Sequence, residues 1–251
     1  MIDQWKKGAK YWDHAWNPVI GCRKVSEGCK NCWALGMIQR FQMNGNDDPD
    51  LMKFEAQTAP HINEDVKNPP KSGVVFVGNM TDLFGEWNTP LEIVHWLLQL
   101  NECAVNLVLT KRPDRMIKML SGINPLRSLW AGFTAENQER YNERIKSFRM
   151  LDFPFRWLST EPLLGPIDMQ LQYIAPEDMP FDWVVVGAES GPNRRPCKLE
   201  WVESIVRQCR EAGVPVFVKQ LEIAGKLVKD INLFPEHLQI RQVPWIRKGG
   251  K

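Results

Sequence analysis

Three cysteines stand close together, Cys22, Cys29 and Cys32, spaced C-x6-C-x2-C in a stretch that also holds Pro18, Gly21 and Gly28. Thiolates are soft ligands and redox-active nucleophiles, so the triplet is compatible with a disulfide, a zinc site, a redox pair or an iron-sulfur site. The first residues carry Asp3, Lys6 and Lys7 without an apolar signal segment. A reduced, cytoplasmic chain is therefore expected, which argues against a structural disulfide. Zinc takes four ligands, a second C-x2-C is missing, and His14 alone lies near enough in sequence to complete a set. A thioredoxin-like pair would use Cys29 and Cys32 and leave Cys22 without a role. An iron-sulfur cluster on three thiolates uses all three and leaves one iron open to a small molecule. Cys103, Cys197 and Cys209 are scattered and read as small apolar core residues.

The elements that would position such a loop repeat a simple unit. Six short β-branched or aromatic runs, over 73–78, 105–110, 128–133, 155–159, 183–188 and 214–219, end in polar residues. Most are continuously apolar, as strands buried on both faces of a parallel sheet are. Helical stretches lie between them at 90–101, 112–120, 137–149 and 199–212, and another at 33–42 follows Cys32 directly. Thr89 with Pro90 reads as an N-cap and first helical residue, and Gly213 as a C-terminal stop. The alternation predicts an α/β fold, either a doubly wound sheet or a partial or full (βα) barrel with mostly parallel strands. The polar strand ends favour the barrel, because barrels assemble their sites from several C-terminal strand ends. At 251 residues a single domain is expected. It divides into an N-terminal segment over 1–72 with the cysteine loop and an irregular excursion from 44, a βα core over 73–220, and an extension over 221–251.

Composition narrows the class. With 43% hydrophobic and 25% charged residues the chain is an ordinary globular protein, which excludes disorder and disulfide scaffolds. Its longest apolar runs are far shorter than a bilayer crossing needs. Thirty-two Lys and Arg against thirty Asp and Glu leave +2, so any polyanion contact must be local. The local candidates are Lys111, Arg112 and Arg115, then Arg194 and Arg195, then a tail with Arg247, Lys248 and Lys251.

Three cysteines that leave one iron open are what radical S-adenosylmethionine chemistry requires: the open iron takes the methionine amine and carboxylate, and one electron splits the sulfonium bond. The stretch from Trp16 to about Gln220 resembles a phage and bacterial three-cysteine-motif family of unknown function that is regarded as radical-SAM-like. The resemblance rests on WNPVIGCRKVSEGCKNCWA at 16–34, FVGNMTDLFGEW at 76–87, LTKRPDRM at 109–116, WAGFTAENQERYNERI at 130–145, LSTEPLLGPID at 158–168, VVVGAESGPNRRP at 184–196 and VPVFVKQ at 214–220. The first cysteine gap is three residues longer than the commonest radical-SAM spacing, and Asn31 stands where an aromatic residue is usual.

The resemblance implies a 4Fe-4S cluster on Cys22, Cys29 and Cys32, with S-adenosyl-L-methionine as second cofactor and an electron donor such as flavodoxin or ferredoxin. By analogy with radical-SAM barrels, Asn79, Met80, Thr81 and Asp82 would meet the methionine amine, Asp82 directly. Thr134, Glu136, Ser159 and Glu161 would meet the ribose hydroxyls and carboxylate, and Lys111 or Arg112 would supply a cation. Glu189, Ser190, Arg194 and Arg195 would hold a phosphate or carboxylate of the substrate. Glu161, Glu189 and Lys219 are the candidates for proton handling. Trp16 and Trp87 could stack on a base. The expected substrate is a nucleic-acid base or modified nucleotide, in phage DNA modification or repair within a host cytoplasm. Two other readings stand beside it: a zinc-stabilised nucleic-acid-binding module, and a metal-free βα-barrel enzyme with Glu161 and Glu189 as acid and base.

Overall fold

The computed structural model describes residues 3–4, 8–43, 60–63, 66, 68–122 and 127–245. Most of the excursion over 44–72 lies outside them, as do Trp5, Arg247, Lys248 and Lys251. The elements begin with β1 (Asp3–Gln4), β2 (His14–Trp16), β3 (Val19–Ile20), α1 (Trp33–Met43), β4 (His61–Ile62) and β5 (Val74–Val77). Then come α2 (Pro90–Leu98), β6 (Val105–Thr110), α3 (Pro113–Leu120), β7 (Leu129–Thr134), α4 (Gln138–Phe148) and β8 (Arg156–Thr160). The chain continues through β9 (Trp183–Gly187), α5 (Leu199–Glu211), β10 (Val216–Ile223), β11 (Lys226–Val228) and β12 (Gln242–Val243). All six expected strands form, and α2 opens on the expected Thr89 cap, closed reciprocally by Glu92.

The main sheet has the order β11-β10-β9-β8-β7-β6-β5-β2, parallel from β10 to β2, with β11 antiparallel on one edge. This is the α/β fold with a mostly parallel sheet. Its central strands are mostly apolar because both faces are covered. Val75 and Val77 of β5, Leu158 of β8 and Val184 and Val186 of β9 pack toward the helices. Val74, Phe76, Trp157, Trp183, Val185 and Phe217 pack into a second, inner core.

The inner core shows how far the sheet curls. A flat sheet would set β5 and β10, five strands apart, about 24 Å from each other. Yet the Tyr11 ring lies 6.3 Å from Phe76 on β5 and 5.5 Å from Phe217 on β10. Trp157 fills the middle, its indole N–H donating to the carbonyls of Val108 and Trp130 at 3.1 Å each. Gly132 makes room for it, since a Cβ there would stand 2.4 Å from the indole nitrogen. At the N-terminal end of the strands, Trp245 packs on Trp130 and Trp183, and the Trp183 indole donates to the Gln242 carbonyl at 2.9 Å. That end is filled with rings, so space for a ligand remains at the other. Among the described residues no helix is long and apolar enough to cross a membrane.

Candidate functional site

The C-terminal strand ends and the cysteine loop surround one cavity, about 1110 Å3 with the open solvent at its mouth included. Cys22, Cys29 and Cys32 line it together. So do Asn79, Thr81 and Asp82 after β5, Lys111 and Arg112 after β6, Thr134 of β7, Ser159 and Glu161 from β8, Glu189 and Ser190 after β9, and Lys219 of β10. Glu136, Arg194 and Arg195 are not on this wall.

Four carboxylates behind or beside the cavity hold the cysteine loop. Glu136 is fully buried, accepting from Ser26 Oγ at 2.6 Å and from Arg144 Nη1 at 2.6 Å. Gly28 lies against it so closely that only glycine fits. Glu189 accepts from Asn31 Nδ2 at 2.9 Å and takes a bidentate Arg195, whose Nη1 also donates to the Glu27 carbonyl at 2.9 Å. Burial pushes the Glu189 carboxyl up, but Arg195 and Asn31 outweigh it and hold it below the ordinary carboxylate range. Glu27 accepts from Asn137 and Arg140 on the α4 side. Asp82 carries four donors: the Phe84 and Lys111 backbone N–H groups, Thr110 Oγ1 and Arg112 Nη1. Arg112 in turn donates to the Arg23 carbonyl at 3.1 Å, beside Cys22, while its guanidinium lies 4.9 Å from the Trp87 ring. Buried charges persist only when paired, and here the pairing staples loop to strand ends.

This changes the place of several expected residues. Asp82 has both oxygens engaged within the protein, where the sequence analysis set it against an ammonium. Arg195 is spent on Glu189, and Arg194 donates to the Gly225 carbonyl. Trp16 is buried in the outer core, and Trp87 lies under Arg112. His14 is exposed on β2 and is not on the cavity wall that the thiols line. Among the described residues, no group of three or more His, Cys, Asp and Glu side chains is arranged around a single ion position. Burial, then the Asp82 charge, pushes the Cys22 thiol up to about 12.

What the cavity offers a ligand is therefore a smaller set. Lys111 Nζ has no hydrogen bond or ion pair among the described residues; burial pulls it down, but the nearby Cys29 and Glu136 charges hold it above the usual lysine range. Asn79 Oδ1 and Trp12 Nε1 are buried on the wall without a hydrogen-bond partner among the described residues. Such atoms cost free energy unless something meets them. Glu161 accepts from Lys219 Nζ at 2.7 Å and from Gln220 Nε2 at 2.6 Å, and the same ammonium lies 5.7 and 5.5 Å from the Tyr11 and Trp12 rings. Tyr11 and Trp12 were not expected at the site, because they come from a short irregular stretch without a periodic signal, and Asn31, read only as a departure from an aromatic residue, holds Glu189.

One family matches the chain, described as a protein of unknown function (DUF5131), over residues 6–231. No curated protein matches, and no solved structure does.

Proposed function

We propose that this chain, which belongs to the DUF5131 family of proteins of unknown function, is a radical S-adenosylmethionine enzyme. Its 4Fe-4S cluster would sit on Cys22, Cys29 and Cys32, and its substrate would be a nucleic-acid base or modified nucleotide. The observation that carries the reading is the convergence of three thiols on one cavity at the C-terminal rim of a curled parallel sheet. We read that sheet as a partial (βα) barrel, a fold that builds its sites at this rim. When bound, the cluster and S-adenosylmethionine supply a carbon radical able to take hydrogen from an unactivated C–H bond.

The chain's own residues suit these groups. The loop backbone is already stapled by Asp82, Glu136 and Glu189, so what is left when metal binds is for the three thiol side chains to draw together. Lys111 is a cation in search of an anion and suits the methionine carboxylate. Asn79 Oδ1 suits the methionine ammonium as acceptor, the role the sequence analysis gave Asp82. Thr134 and Ser159 offer hydroxyls to the ribose. Tyr11 and Phe76 floor the cavity with rings and keep water from the reacting carbon. Glu161 presents an acceptor and Lys219 a donor to polar substrate edges. As a pure acid and base, Glu161 and Glu189 are poorly suited, since each is already held by a cation.

The test is anaerobic. Reconstituted protein is mixed with dithionite and S-adenosylmethionine, and 5′-deoxyadenosine and methionine are quantified by chromatography. Both are expected from wild type and neither from Cys29→Ala. Absence of 5′-deoxyadenosine from wild type that carries iron and sulfide would overturn the reading.

A further inference from the structure

A second concavity, about 2540 Å3 with open solvent included, shares Trp12, Cys32, Glu161 and Lys219 with the first, so the two are continuous. Among the described residues its charge is one-sided. Lys24, Lys30, Arg40 and Lys229 line it against Asp230, the other acid on its wall being Glu161, already paired with Lys219. Four cations against Asp230 exceed the surplus of +2 carried by the whole chain. They come from the cysteine loop, α1 and the stretch after β11, so folding gathers them from distant positions. Trp33, 44% exposed, stands where this trough meets the inner cavity.

From this we infer that the trough is the path of a single-stranded nucleic acid, whose phosphates lie along Lys24, Lys30, Arg40 and Lys229 while one base enters the inner cavity past Trp33. The inference rests on the nucleic-acid reading above and sharpens it: the substrate is a base within a polymer and not a free nucleotide. A positive groove that tracks a backbone, with an aromatic face beside it, is how unpaired strands are held without sequence preference. A duplex would keep its bases stacked out of reach of a cavity this deep in the protein, so the strand must be single or locally opened.

The experiment is fluorescence anisotropy of labelled single-stranded oligonucleotides, one DNA and one RNA, with the reconstituted full chain under anaerobic conditions between roughly 50 and 200 mM salt. Wild type is expected to bind with a steep salt dependence, and the DNA and RNA arms identify which sugar is preferred. The triple variant Lys24→Glu, Arg40→Glu and Lys229→Glu should bind at least about tenfold more weakly and with a shallower salt slope. A control triple, Lys118→Glu, Lys146→Glu and Arg149→Glu, makes the same charge change at exposed positions on or just after α3 and α4 and should bind within about twofold of wild type. Equal weakening in both triples, equal affinity for a matched duplex, displacement by a mononucleotide at the same phosphate concentration, or no binding at the lowest salt would each overturn the proposal. Iron content and 5′-deoxyadenosine formation are measured on wild type and on the triple variant, which should keep both. In wild type, cofactor cleavage without strand binding defeats the trough alone, and strand binding without cofactor cleavage defeats the radical reading alone.

Discussion

Replacing Gly28 by alanine tests whether Glu136 fixes the cysteine loop. An added Cβ would stand 2.1 Å from Glu136 Oε1, 2.4 Å from its Cγ and 2.6 Å from its Cδ, against the ~3.5–4.0 Å of ordinary carbon contacts. Glu136 cannot move freely, because Ser26 and Arg144 hold its two oxygens at 2.6 Å each in a fully buried site. Either the carboxylate gives up a charge-assisted bond, at about 1.5–3 kcal/mol, or the loop takes the strain of overpacking, at about 1–3 kcal/mol. The cheaper route sets the cost, so Gly28→Ala is expected to lose about 2 kcal/mol, or about 4–8 °C of melting midpoint for a chain of this size. The assay is urea unfolding under reducing conditions, run as a double-mutant cycle with Glu136→Ala. With Cγ, Cδ and both oxygens gone, Gly28→Ala should cost less than about 0.5 kcal/mol in that background, so the pair is coupled by more than about 1 kcal/mol. Equal costs in the two backgrounds would refute the contact and with it the idea that Glu136 sets the loop.

Further outcomes follow from other contacts. Gly132→Ala would drive a Cβ into the fully buried Trp157 indole and cost about 3 kcal/mol or more in urea unfolding; a change under about 1 kcal/mol would contradict the packing of the inner core. Glu189 is held below the ordinary carboxylate value, so its contribution is complete above about pH 4.3 and is lost as the pH falls through its folded value. The melting midpoint of wild type should therefore fall below about pH 4 more steeply than that of Glu189→Gln, and parallel curves would rule the staple out. In native thiol titration near neutral pH, exposed Cys103 should react first. Cys197, pushed up to about 12 by burial and by Glu222, and the fully buried Cys209, also pushed up by burial, should react only on unfolding.

The strands of the main sheet were legible because Val74–Val77, Trp183–Gly187 and their neighbours are buried on both faces and so read as unbroken apolar runs. β2 was not, since His14–Trp16 has only Trp16 buried and owes its place to pairing with β5. The strand-end polar residues were also legible as a set, and their gathering round one rim follows from the parallel order. Their individual roles were hidden because the partners are remote: Ser26 reaches Glu136 across 110 positions and Asn31 reaches Glu189 across 158. Carboxylates that looked free to meet a ligand thus turn out to hold the loop. The cationic clusters misled for the same reason, for Arg112 and Arg115 bond to backbone carbonyls of Arg23, Phe84, Gly85 and Asn88. The basic trough is assembled from cations of the cysteine loop, α1 and the stretch after β11, which no local window brings together.

The most direct test of the central claim is iron and acid-labile sulfide analysis, with a visible absorption spectrum, on anaerobically purified wild type and Cys29→Ala. The account expects about four irons and four sulfides per wild-type chain with a brown chromophore, and their loss in the variant. Stoichiometric zinc in a colourless wild-type protein would contradict it.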